Sequence, residues 1–145
     1  KIVEEIERIL DLNADWDVQT KRVNERDGHV VHVEVHVDDV PAFDTVLSLL
    51  QSTEQMHALP SQPTRRMECI QSEPSRKEHL WNGQSRTPLD PSMDLKAGMT
   101  TTVQLKSVKN GVVSFIGLSH NTIRGAAGGV VLLAELAYLK NYFEQ

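Results

Sequence analysis

Apolar residues recur at helical spacing from the start of the chain. Ile2, Ile6, Ile9 and Leu10 share one face, while Glu4, Glu5, Glu7 and Arg8 face away. This predicts an amphipathic surface helix over residues 2–12, ended by the polar stretch 11–15. Residues 16–23 are read as a strand. Over 29–37 the period drops to two: Val31, Val33, Val35 and Val37 alternate with His32, Glu34 and His36, which predicts a strand with one buried face. Between 40 and 51, Phe43, Val46, Leu47 and Leu50 return to helical spacing, with Pro41 placed for the first turn.

Periodicity then lapses. Residues 59–97 hold five of the six prolines, several Ser and Gln residues and Asn82, broken only by a short strand-like run over 67–71. A long excursion of this kind in a compact domain is expected to serve binding or a subunit contact. Two strands follow, over 99–108 and 112–118, joined by Asn110-Gly111, a pair suited to the positive φ angles of a tight hairpin turn. A closing helix is predicted from about 121 to 142. Its first turns carry Gly125, Ala126, Ala127, Gly128 and Gly129, and each glycine costs up to about 1 kcal/mol of helix stability relative to alanine. Either tight packing against the sheet or a ligand lying on the helix start accounts for so many small residues, and spacing does not separate the two.

Composition narrows the possibilities. At 145 residues the chain is the size of one ordinary domain, and its net charge of −5 offers no basic field to nucleic acid or an anionic membrane. A lone cysteine, Cys69, excludes an internal disulfide and suggests a cytoplasmic setting. No apolar run reaches the length of a membrane span. The opening residues enter a helical pattern at once without an initiator methionine, as expected of a segment inside a longer protein.

The run Ser119-His120-Asn121-Thr122-Ile123-Arg124-Gly125-Ala126-Ala127-Gly128, followed by Val131-Leu132-Leu133-Ala134-Glu135-Leu136, closely resembles the final helix of aspartate-semialdehyde dehydrogenases of the archaeal and fungal type. Asp27-Gly28-His29 opening a valine strand, with Arg22-Val23 shortly before it, resembles that family's arginine-to-histidine segment. Leu59-Pro60-Ser61, Gly98-Met99 and the opening Lys1-Ile2 with Glu5 and Ile9-Leu10 fall in the family's order, so the resemblance spans nearly the whole chain.

The resemblance implies a chemistry. In this family a cysteine attacks the acyl phosphate of aspartate, phosphate departs, and NADPH reduces the resulting thioester to the semialdehyde, so covalent catalysis divides one hard step into two. His29 matches the histidine that handles protons near the nucleophile, a task suited to imidazole. Arg22 matches the arginine for the substrate carboxylate, where a planar fork of donors is needed; a surface ion pair is its other reading. Lys1 matches a lysine for the phosphate leaving group, although the acidic residues that usually precede it are missing. Asn121, Gly125 and Ala126 match the helix start that meets the nicotinamide end of NADP, with a simple helix cap as the competing role for Asn121. His32 and His36 lie on the opposite strand face and do not converge on a metal, so no metal site is expected.

The nucleophile and the dinucleotide loop belong to the other half of the family's chain, and no G-x-G-x-x-G occurs here. This chain alone is therefore expected to be inactive, and Cys69 is read as a packing residue. Asn24-Glu25-Arg26 replaces the family's proline and apolar residues, and the segment 76–96 is longer than its counterpart.

The expected fold is α+β: a mixed, mostly antiparallel sheet with helices on one face, like the C-terminal domain of glyceraldehyde-3-phosphate dehydrogenase. Residues 1–118 are read as a substrate-binding and dimerisation domain, and 119–145 as a helix that packs on the nucleotide-binding half of the same protein. A homo-oligomer, dimer or tetramer, is expected, with a small-molecule substrate and neither nucleic acid nor membrane as partner. A malonyl-CoA reductase-like enzyme and a non-catalytic dimerisation module are the two alternatives.

Overall fold

The computed structural model describes residues 2–11, 15–21, 23–52, 57–63, 65–81 and 98–142. Four strands form one mixed sheet: β1 (His29–His36), β2 (Met67–Cys69), β3 (Thr101–Lys109) and β4 (Val112–Ser119), in the order β1-β4-β3-β2. β4 runs antiparallel to both β1 and β3, and only β2 lies parallel to its neighbour. With helices α1 (Ile2–Leu10), α2 (Phe43–Gln51), α3 (Arg76–His79) and α4 (Gly128–Leu139), the α+β class expected from the sequence is the one observed.

The centre of the sheet forms as the pattern predicts. Asn110 and Gly111 take φ values of 53° and 77°, the left-handed pair that lets a two-residue turn follow the twist of its strands. β1 ends at His36, one residue earlier than the valine repeat suggests, and the Val37 N–H donates to the Gly111 carbonyl at 2.8 Å. The pairings Leu105 with Phe115 and Ser107 with Ser114 leave Lys106 as an extra residue, a bulge that lets the next pair resume its side of the sheet.

Both sheet faces carry buried side chains. Val103, Leu105 and Val113 lie on one, and Thr102, Ile116 and Leu118 on the other. Ile116 is 0% exposed, so Ile116→Ala is expected to lower the free energy of unfolding by about 2–5 kcal/mol, read from a shifted urea midpoint.

Several local expectations are corrected. No strand forms among 15–21 and 23: Trp16, Val18 and Val23 are scattered among polar residues, and no described strand lies beside them. α2 begins at Phe43 because Ala42, at φ −66° and ψ 148°, is still extended, which leaves Pro41 outside the helix. Gly98, Met99 and Thr100 form a turn and a link into β3 rather than its first residues, and the Met99 side chain fills the core.

The valine strand differs most. β1 is an edge strand, and Val31 and Val35 remain 41% and 42% exposed while Val33 is half-buried, so at this edge the face expected to be buried is only partly covered by the described residues. On the apolar side of α1, Ile9 and Leu10 are also exposed. Among the described residues no helix is long and apolar enough to cross a membrane.

Candidate active site

The antiparallel register of β1 and β4 sets His29 opposite Ser119. The start of β1 and the segment leading into the last helix therefore lie side by side at one end of the sheet, although 90 residues of sequence separate them. That segment does not enter an α-helix directly. Residues Ile123–Ala127 form a π-helical turn, in which Gly125 N–H donates to the His120 carbonyl at 3.2 Å and Ala127 N–H to the Thr122 carbonyl at 2.9 Å. α4 follows without a break, so the continuous helix predicted from 121 starts as a wider coil. Such turns often occur at functional sites.

Three side chains hold the corner before β1. The Gly28 N–H donates to Asn121 Oδ1 at 2.8 Å, Arg76 Nε donates to the Gly28 carbonyl at 3.1 Å, and Thr122 Oγ1 donates to Asp27 Oδ1 at 3.1 Å. Gly28 itself has φ 98°, a conformation open to glycine and strained for other residues. His29 then projects from the sheet end on the Val31, Val33 and Val35 side. Its side chain is exposed, and no described residue hydrogen-bonds its ring.

Asn121 thus has a definite task within the chain. It is not the cap of the following turn: Thr122 occupies that position, and no side chain caps it. With Oδ1 accepting from Gly28, the Asn121 amide nitrogen is the group left to donate to a ligand. Gly125 and Ala126 are exposed, and a Cβ built on Gly125 would meet nothing within 4 Å. Packing inside this chain therefore does not require glycine at 125. It does at 129, where a Cβ would lie 2.7 Å from the Arg124 carbonyl oxygen of the π turn. The close contact at Gly129 is with the π turn itself and not with the sheet.

Lys1 and Arg22 lie outside the described residues, so the structure does not place them. Of the six residues singled out from the sequence, His29, Asn121, Gly125 and Ala126 are seen, and the Gly28 hydrogen bond ties the first two together. Arg76, which grips Gly28 from the other side, was missed. It opens a segment that reads in sequence as an insertion, and nothing in its spacing points to a glycine 48 residues away.

A second clasp was also missed. Glu135 of α4 accepts from the Ser61 N–H at 3.0 and 3.2 Å and from Ser61 Oγ at 2.7 Å, tying the Leu59-Pro60-Ser61 turn to the last helix. Both segments stood out in the sequence, but their contact did not.

His120 is a structural residue: only 3% exposed, it meets Trp81 edge-on with ring centroids 4.4 Å apart, and its Nδ1 accepts from the Ile123 N–H at 3.4 Å. Cys69 lies in β2, at the opposite edge of the sheet from β1, with β3 and β4 between them. Burial pushes its thiol pKa up, and the neighbouring Glu68 carboxylate adds to the rise, the reverse of what a nucleophilic thiolate needs. Among the described residues no three His, Cys, Asp or Glu side chains gather where a metal could be held.

No protein-family model matches the chain. It is 30% identical over 132 residues to a malonyl CoA reductase (NADP) of Metallosphaera sedula, an alignment covering 89% of this chain and 35% of that protein. It is 28% identical over 165 residues to an aspartate-semialdehyde dehydrogenase of Aspergillus fumigatus, covering 98% of this chain and 42% of that one. The chain spans less than half the length of these curated relatives. It is thus related, over most of its own length, to one part of two oxidoreductases, one named for malonyl CoA and the other for aspartate semialdehyde.

Proposed function

We propose that the chain is the substrate-binding and subunit-forming part of a cytoplasmic, NADP-dependent oxidoreductase that reduces an activated acyl group to an aldehyde. The first reading of its substrate is aspartyl 4-phosphate, which gives aspartate semialdehyde for lysine, threonine and methionine biosynthesis. One observation carries the proposal: the Gly28 to Asn121 hydrogen bond of 2.8 Å sets the candidate proton-handling histidine beside the candidate cofactor-facing helix start. Proximity of this kind is what a two-component reaction needs from its scaffold.

In this reading His29 moves a proton at the reacting sulfur and carbonyl, the cysteine being supplied by the nucleotide-binding half. Arg22 and Lys1 bind the substrate carboxylate and the departing phosphate. The residues present suit NADP: the Asn121 amide nitrogen offers a donor, and the open space at Gly125 and exposed Ala126 allow a flat ring to approach the helix start. NADPH, when bound, supplies hydride. The exposed apolar side chains of α4, Val130, Leu133 and Leu139 among them, are the surface offered to the nucleotide-binding half. Val31 and Val35 on edge strand β1 are offered to a second copy in a dimer or tetramer.

A malonyl-CoA reductase-type activity is the second reading, favoured by the higher identity to the Metallosphaera protein. The full-length protein, assayed with NADPH and either aspartyl phosphate or malonyl-CoA, decides between them. Oxidation of NADPH with aspartyl phosphate alone is the expected result. Turnover of malonyl-CoA alone transfers the assignment to the second reading, and turnover of neither points to a non-catalytic dimerisation module.

A further inference from the structure

Gly28 is the joint through which the chain enters β1. A residue with φ 98° and no side chain has two torsions that nothing local restrains. Here both flanking peptide groups are held from outside. Asn121 takes the N–H on one side of the Gly28 Cα, and Arg76 takes the carbonyl on the other, at 2.8 and 3.1 Å. The two holders come from unrelated elements, the lead-in to the π turn and the first residue of α3.

The Arg76 stem also lies against the glycine, since a Cβ there would meet its Cγ at 3.0 Å and its Cδ at 3.1 Å. Among the described residues Arg76 makes no ion pair, so the Gly28 carbonyl, and not a carboxylate, orients its guanidinium. Fixing both peptide planes fixes the direction in which β1 leaves Gly28, and the pairing of His29 with Ser119 then sets the His29 Cα–Cβ bond.

We propose that Arg76 is a positioning residue: with Asn121 it forms a two-sided clamp on Gly28 that aims the His29 imidazole. The clamp rests on the reading of His29 as the proton-handling group. It requires nothing of Arg76 toward the substrate. A charge-assisted hydrogen bond to a carbonyl suits the role, because it is stronger and more directional than a neutral one.

The test is a double-mutant cycle in the full-length protein, with folding checked by circular dichroism. Arg76→Met keeps an apolar stem and loses the donor. It is expected to lower kcat by roughly ten- to a hundredfold with KM little changed, the size of effect that misplacing a reacting group produces. Arg76→Lys, whose ammonium can still reach the carbonyl, is expected to recover part of that loss.

In a His29→Ala background neither substitution is expected to cost anything further, because nothing remains to be aimed. If Arg76→Met does not fold, the Arg76→Lys arm of the cycle decides alone. A loss that persists undiminished without His29, or a raised KM at unchanged kcat, overturns the clamp by showing that Arg76 meets the substrate or serves stability only. Full turnover by His29→Ala removes the underlying reading and the clamp together. An inactive His29→Ala beside fully active Arg76 variants removes the clamp alone.

Discussion

Replacing His29 with alanine is expected to lower turnover of the full-length protein by about 10²- to 10⁴-fold, the contribution of a positioned general acid or base. Stability should hardly change. The side chain is exposed and no described residue hydrogen-bonds its ring, so its removal leaves neither a cavity nor an orphaned polar partner. KM should also stay close to its starting value, since the imidazole acts on a proton and not on the groups that hold the substrate. Loss of turnover at an unchanged melting temperature supports the assignment; undiminished turnover ends it.

Gly28→Ala is expected to damage both stability and activity. At φ 98° any side chain adds backbone strain, of order 1–3 kcal/mol for such a conformation. The new Cβ would also arrive 3.0 Å from Arg76 Cγ and 3.2 Å from its Nε, the atom that bonds the Gly28 carbonyl. The arginine must then give by a few tenths of an ångström, which strains its hydrogen bond to the Gly28 carbonyl. Urea denaturation should show the loss of stability, and steady-state kinetics a lower kcat in the material that still folds. Gly125→Ala is the contrast in stability, because its Cβ would enter open space and alanine is the better helix former. Equal unfolding midpoints for the two variants would contradict the described geometry at Gly28.

The strong periodic segments were legible in sequence, and the weak ones were not. Alternating valines and an Asn-Gly pair define β1 and the β3–β4 hairpin because backbone sterics and side-chain alternation act within a few residues. Residues 16–23 misled because a few scattered apolar residues become a strand only when another strand lies beside them. Met99 reads as the first residue of a strand, yet it belongs to a turn whose side chain plugs the core. His29 and Asn121 stand out from the segments around them, and the structure brings them side by side. Arg76 does not stand out, because its partner is a main-chain carbonyl, and an atom that every residue carries leaves no mark in a sequence pattern.

The same division separates what each level decided. Local sequence determined the α+β class, the tight hairpin, the amphipathic first helix and the small-residue start of the last one, all set by interactions that span a turn or two of chain. Tertiary structure alone placed β1 at the sheet edge with Val31 and Val35 exposed, widened the start of the last helix into a π turn, set Glu135 on Ser61, and closed Asn121 and Arg76 around Gly28. Each of these joins groups far apart in sequence, and their meeting depends on strand order and register, which no local pattern of hydrophobic and polar residues encodes.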